Sequence, residues 1–185
     1  MSAPVSVRLR RTYFDCRFGQ LHVHQAIPPG GGFDEATALL CLPDARGLGS
    51  FFLGLLAPLG VNRSIYAPDL PGCGGSDSPV TAAGGLSRAS PEQCAQAMID
   101  LLDSLRQRRV DVLAHAEGAE IALALVAQRP ALVHRLAWSA PGASVRERAQ
   151  QAGLATRDFA LSDPAAPDAA QLQELLEFLG AGART

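Results

Sequence analysis

The polarity of the chain changes period along its length, and each change marks an element. Residues 5–18 and 20–27 alternate apolar with polar, which predicts two half-buried strands turned at Gly19 into an antiparallel hairpin. Short, mostly apolar runs follow at 36–42, 63–67, 110–113 and 135–139, as strands buried on both faces require. Helical patterns lie between them, at 48–59 ending on Gly60, from Ser90 to about Arg108, and at 119–128 closed by Arg129-Pro130. Ser90-Pro91-Glu92-Gln93 supplies an N-cap, a first-turn proline and a capping-box glutamine to the second of these. Residues 28–32 and 79–88 read as loops. The alternation predicts an α/β fold, a three-layer α/β/α sandwich on a mostly parallel sheet of about six strands with an antiparallel N-terminal hairpin.

Residues 143–159 form a polar, helical stretch, residues 163–167 a loop, and residues 170–179 a last helix closed by Gly180. Leu172, Leu175, Leu176 and Leu179 share one face of that helix, which suits packing on the sheet first and a protein partner second. The expectation is one domain over residues 1–185, with its core at 5–142 and a helical segment at 143–183. With six strands, the strand at 135–139 is an edge, which either the terminal helix covers or a second copy pairs with to make a homodimer.

Two stretches carry the chemistry. Val112-Leu113-Ala114-His115-Ala116-Glu117-Gly118 is an apolar strand running through small residues into a helix. About forty residues upstream, Asp69-Leu70-Pro71-Gly72-Cys73-Gly74-Gly75-Ser76 is a glycine-rich loop after a strand. That loop lacks the Gly-Lys-Ser/Thr of a phosphate-binding P-loop and does not fit the dinucleotide fingerprint. Together the two motifs resemble the nucleophile elbow and the Asp-Leu-Pro-Gly-x-Gly-x-Ser loop of the α/β-hydrolase superfamily, of the esterase and C–C hydrolase type.

The resemblance implies a nucleophilic serine at position 116, an oxyanion hole at the end of the third strand, and a histidine and an acid toward the carboxyl terminus. This chain departs from each. Position 116 is Ala116, and a methyl group cannot attack a carbonyl. The third strand ends in Pro43-Asp44-Ala45 where catalytic members carry His-Gly; a proline has no N–H to donate, and a carboxylate at Asp44 opposes developing negative charge. Alternatively Asp44 turns to solvent and caps the helix region that starts at Leu48. The histidines are His22, His24, His115 and His134, none beyond the sixth strand, and after Gly142 only about forty residues remain. The pattern is that of a truncated hydrolase without a triad.

Composition narrows the partners. A net charge of −2 gives no electrostatic case for nucleic acid or an anionic membrane, and no apolar run is long enough to span a bilayer. All 16 basic residues are arginine, which excludes Schiff-base chemistry and pyridoxal phosphate. No cofactor is implied. The cysteines, Cys16, Cys41, Cys73 and Cys94, are widely spaced and read as reduced thiols in a cytoplasmic, bacterial protein. His22 and His24 share one face of a strand, but with no carboxylate or thiol near them in sequence a metal site is not expected.

Two readings of Ala116 follow. One is a serine esterase or related hydrolase whose nucleophile has been replaced by engineering, or whose site has moved to Cys41 or Cys73 with His115 as base. The other is a pseudoenzyme that works noncovalently, binding a small acyl-type ligand around Asp44, Ala45, Ala116 and Glu117 or a protein partner. Glu117 at the start of a helix is well placed for the helix dipole, a structural role that competes with ligand contact.

Overall fold

The computed structural model describes residues 6–31, 37–80, 84–161 and 167–180. Strands β1 (Arg8–Cys16) and β2 (Gly19–Ile27) form the expected hairpin in antiparallel register, with Gly19 at φ +116° and Cys16 opposite it. β2 then pairs antiparallel with β4 (Ile65–Pro68), which runs parallel to β3 (Ala38–Leu42). β3 pairs parallel with β5 (Val110–His115), and β5 with β6 (Val133–Ser139). The sheet order is β1-β2-β4-β3-β5-β6-β7, so the chain leaves β3 for β4 on one side and returns to β5 on the other. That reversal makes the carboxyl ends of β3 and β5 the switch point where open α/β sheets bind ligands.

The seventh strand corrects the sequence reading in two ways. The stretch 143–159 is not one helix: α4 (Ala143–Gln151) stops before Gly153, which sits at φ +63°. The chain then reverses into β7 (Thr156–Asp158), parallel to β6. Hydrogen bonds from Leu136 N to Ala155 O and from Phe159 N to Trp138 O continue the ladder at either end of β7. β6 is therefore an inner strand, and the expected homodimer along its edge has no free edge to use. Three residues of strand carry too weak a periodicity to read in sequence.

Helices cover both faces. Leu40, Leu42, Val110, Val112, Leu136 and Trp138 point from the sheet into one core, packed by α2 (Pro91–Ser104), α3 (Gly118–Gln128) and α4. Leu39, Cys41, Ile65, Leu113 and Ala137 point into the other, packed by α1 (Leu53–Leu59) and α5 (Ala169–Phe178). The apolar face of the last helix buries Leu175 and Leu179 there, with Leu172 and Leu176 partly buried against the same core, so this face packs on the sheet. The predicted caps are present: Ser90 Oγ accepts from Gln93 N, Gln93 Oε1 accepts from Ser90 N, and Pro91 occupies the first turn. The helix read as 48–59 divides into a short 3-10 turn, Gly49–Phe52, and α1. The helix read to Arg108 ends at Ser104. The loop read at 163–167 lies mostly outside the described residues.

A buried charge cluster pins the amino ends of the strands. Arg63 is fully buried, with Nη1 at 3.3 Å from Asp111 Oδ2 and Nη2 donating to Leu179 O at 2.9 Å. His134 lies within β6, not in the loop before it, and its Nδ1 is 3.1 Å from Asp111 Oδ1, an ion-pair distance without hydrogen-bond alignment. Burial pushes the Asp111 carboxyl up and the Arg63 guanidinium down, since both charges lose water there. The link from Arg63 to Leu179 fastens the end of α5 to the sheet.

The start of α3 lies hard against the end of β3 at Gly118, where a Cβ would stand 2.3 Å from Leu42 O and 2.7 Å from Pro43 O. Neither carbonyl is the tip of a flexible side chain. Gly118→Ala should therefore cost about 3 kcal/mol of stability, measured by urea denaturation; a cost under about 0.5 kcal/mol would contradict this packing.

Candidate functional site

The turn from β5 into α3 has the geometry of an elbow. Ala116 sits at φ +46°, a left-handed conformation that a non-glycine residue holds only under about 1–3 kcal/mol of strain. Its N–H donates to Ser139 O at 2.8 Å, and its carbonyl accepts from Ala119 N at 3.1 Å. Ala114 is fully buried, and the absence of a side chain at Gly118 lets α3 begin against the end of β3. The strained backbone that presents a nucleophile is thus retained around a methyl group.

Glu117, the next residue, reaches across to the loop after β3. Its Oε2 accepts the Ala45 N–H at 3.1 Å, at the end of the third strand where the resemblance places an oxyanion hole. A carboxylate in that position would oppose a developing negative charge rather than stabilise it. Asp44 does not cap the next helix. Its carboxylate bends back on its own loop, accepting from Arg46 N at 3.0 Å and Arg46 Nε at 2.9 Å. Arg46 lies 5.6 Å from the Phe51 ring centroid, and Phe51 stacks on His115 at 4.6 Å.

The four residues read as a ligand site divide between two clefts with Glu117 as their shared wall. A cavity of about 200 Å³ is bounded by Asp44, Ala45 and Glu117 at its polar end, and by apolar residues such as Leu70, Pro91 and Ile121. Arg88 lines it too, donating to Ala45 O, with Nη2 3.5 Å from Cys73 Sγ. Sequence reading missed Arg88 because a lone arginine in a loop of small residues carries no periodic signal. Ala116 faces the other cleft, with Ala140, Gly142 and Val145. Cys41 is excluded as a moved nucleophile: it is fully buried, and desolvation pushes its thiol far up, away from the thiolate. Cys73 is half-buried on the cavity wall.

The first residue of the glycine-rich loop is the site's main brace. Asp69, buried, accepts from Gly49 N at 2.8 Å and Gly75 N at 2.9 Å, and its Oδ2 is 2.9 Å from His22 Nδ1. It joins β2, the loop after β3 and the loop after β4. Gly74, at φ +54°, is required for this, because a Cβ there would meet Asp69 Oδ2. The expectation that no carboxylate lies near His22 and His24 is corrected here: Asp69 is distant in sequence and is brought in by the antiparallel pairing of β2 with β4.

Desolvation lowers the pKa of both His24 and His115 below the ordinary histidine value. His115 Nδ1 is buried and meets no hydrogen-bond partner among the described residues. The unfolded chain takes up protons below pH ~6.5 while the folded chain resists them, so this stability is present above that pH and lost as pH falls. Urea midpoints should drop between pH 7.5 and 5.5, and drop less in His115→Gln; an unchanged slope in that variant would remove His115 from the account.

The comparisons agree with this geometry. No curated protein matches the chain. Among solved structures, an epoxide hydrolase, CorEH, superposes with a TM-score of 0.61 at 19% identity, over 72% of this chain and 43% of that one. Cfl2 from Burkholderia cenocepacia matches at 25% identity and a TM-score of 0.60, over 72% of this chain and 42% of its own. The haloalkane dehalogenase DbeA from Bradyrhizobium elkani gives 19% identity and a TM-score of 0.60, over 72% and 42%. The chain thus spans less than half the length of these structures. The model of the alpha/beta hydrolase family matches residues 29–184, and with the sheet order and the elbow at Ala116 it places this chain in that family.

Proposed function

We propose that this chain binds a small acyl-type ligand noncovalently and does not perform acyl transfer at position 116. The observation that carries the reading is the Glu117–Ala45 contact at 3.1 Å, one residue on from the alanine at 116. A missing serine is one atom's difference, whereas a carboxylate seated on the oxyanion donor changes what the site can stabilise. Removing one such donor costs about 3 kcal/mol of transition-state stabilisation, and an anion in its place adds repulsion to that loss.

The same contact describes the ligand. The cavity of about 200 Å³ is below the size that takes a drug-like molecule, and its walls are mostly apolar. At its polar end, Glu117 accepts hydrogen bonds and Arg88 donates them. A neutral head that donates and accepts, such as an amide, suits that pair better than a second carboxylate beside Glu117 and Asp44. Fold alone does not decide activity, and the relatives named as hydrolases and dehalogenases differ in the bonds they break.

Thermal stability should rise with hexanamide and not with hexanoate, and Glu117→Gln should reduce that selection by about tenfold in apparent Kd, a difference of about 1.4 kcal/mol. Ala116→Ser should leave p-nitrophenyl butyrate hydrolysis at the level of the wild type. Turnover restored by the serine would establish the alternative, a hydrolase lacking only its nucleophile.

A further inference from the structure

We propose that His22, His24 and Asp69 form a binding site for a divalent transition-metal ion of the zinc class, on the face of β2 toward α1 and apart from the Glu117 cleft. One ligand atom from each of the three lies within 4.8 Å of the others, the one such group among the described residues. Neither the family resemblance nor the noncovalent reading of the elbow assigns these residues a ligand.

The strand geometry makes the pair. Positions 22 and 24 are two apart on β2, so both imidazoles project to the same face, and their rings meet edge-on at 4.7 Å between centroids. Asp69 arrives from the end of β4, the antiparallel neighbour of β2. His22 Nδ1 and Asp69 Oδ2 stand 2.9 Å apart. An ion held tetrahedrally by two bonds of about 2.05 Å sets its ligand atoms about 3.3 Å apart, so this hydrogen-bonded pair need open by only a few tenths of an ångström to take one. One ion bound between those atoms keeps both near their present positions, and His24 completes the set with a side-chain rotation.

The carboxylate is also prepared for the work. The Gly49 and Gly75 N–H groups hold Asp69, one on each oxygen, in the manner of outer partners that fix a metal-ligating carboxylate. Binding needs no redox partner. The proton that His22 Nδ1 shares with Asp69 moves to Nε2 of the same ring, and the ion takes up the Nδ1 lone pair. A cavity of about 260 Å³ lined by Leu9, Arg10, Arg11, His24, Leu53 and Leu56 gives access from solvent. Two imidazoles and one carboxylate select zinc, cobalt or nickel over magnesium or calcium, which prefer oxygen. The arginines on the cavity wall oppose a cation, so affinity should be moderate and improve with salt that screens them.

The test uses untagged chain, stripped with chelator and titrated with Co²⁺ while visible d–d absorption is followed. The expected result is a saturable spectrum with one ion per chain, displaced by Zn²⁺ and not by Mg²⁺. His24→Gln should weaken binding by at least tenfold, while His134→Gln, at the other end of the sheet, should bind as the wild type does. A Co²⁺ titration of the wild type without d–d bands overturns the proposal by itself, whether or not the variants fold. So does wild-type affinity in a folded His24→Gln. Neither result bears on the elbow, whose ligand is read separately by thermal shift with the amide.

Discussion

The contact between the start of α3 and the end of β3 governs the arrangement of the site. Gly118 rests on the carbonyls of Leu42 and Pro43 so closely that no side chain fits. Given that approach, the chain enters the helix through a left-handed residue at 116, and Glu117 is delivered beside the loop that follows β3. The backbone strain that α/β hydrolases use to expose a nucleophile is therefore imposed here by packing, whatever side chain stands at the top. The shape of the elbow and the identity of the side chain at 116 depend on different atoms, so one can be kept while the other changes.

The rest of the molecule holds this contact still. At the carboxyl ends of the strands, Asp69 ties β2, the loop after β3 and the glycine-rich loop into one unit by accepting backbone N–H groups. At the opposite ends, Arg63 and Asp111 are fully buried and fasten α5 to the sheet through Leu179 O. Removing one partner of such a buried pair costs about 3–5 kcal/mol, because the other charge is left uncompensated. The elbow thus lies between two buried polar anchors.

What could be read in the sequence followed from local rules. Period-two alternation gave the hairpin, unbroken apolar runs gave the parallel strands, and the Ser90 cap gave the start of α2. The elbow was legible because small residues at 114 and 118 have a steric cause. Three things were not legible, and all depend on contacts across the fold. β7 is too short to show a period. Asp69 reaches His22 only once β2 and β4 pair. Glu117 reads as a helix-start carboxylate until Ala45 is found opposite it, 72 positions away in sequence. In sequence Asp44 is the carboxylate that would oppose an oxyanion, whereas in the fold it turns to Arg46 and it is Glu117 that meets the Ala45 N–H.

The claim that the elbow keeps its shape without its chemistry is tested most directly by intact-mass analysis of Ala116→Ser treated with a fluorophosphonate. The reagent demands an activated serine and an open oxyanion hole in the same place, and needs no turnover. The account predicts no adduct after incubation that fully labels an active serine esterase run alongside. Stoichiometric phosphonylation of the introduced hydroxyl in that variant would show that the hole is functional, and would contradict the seating of Glu117 on the Ala45 N–H.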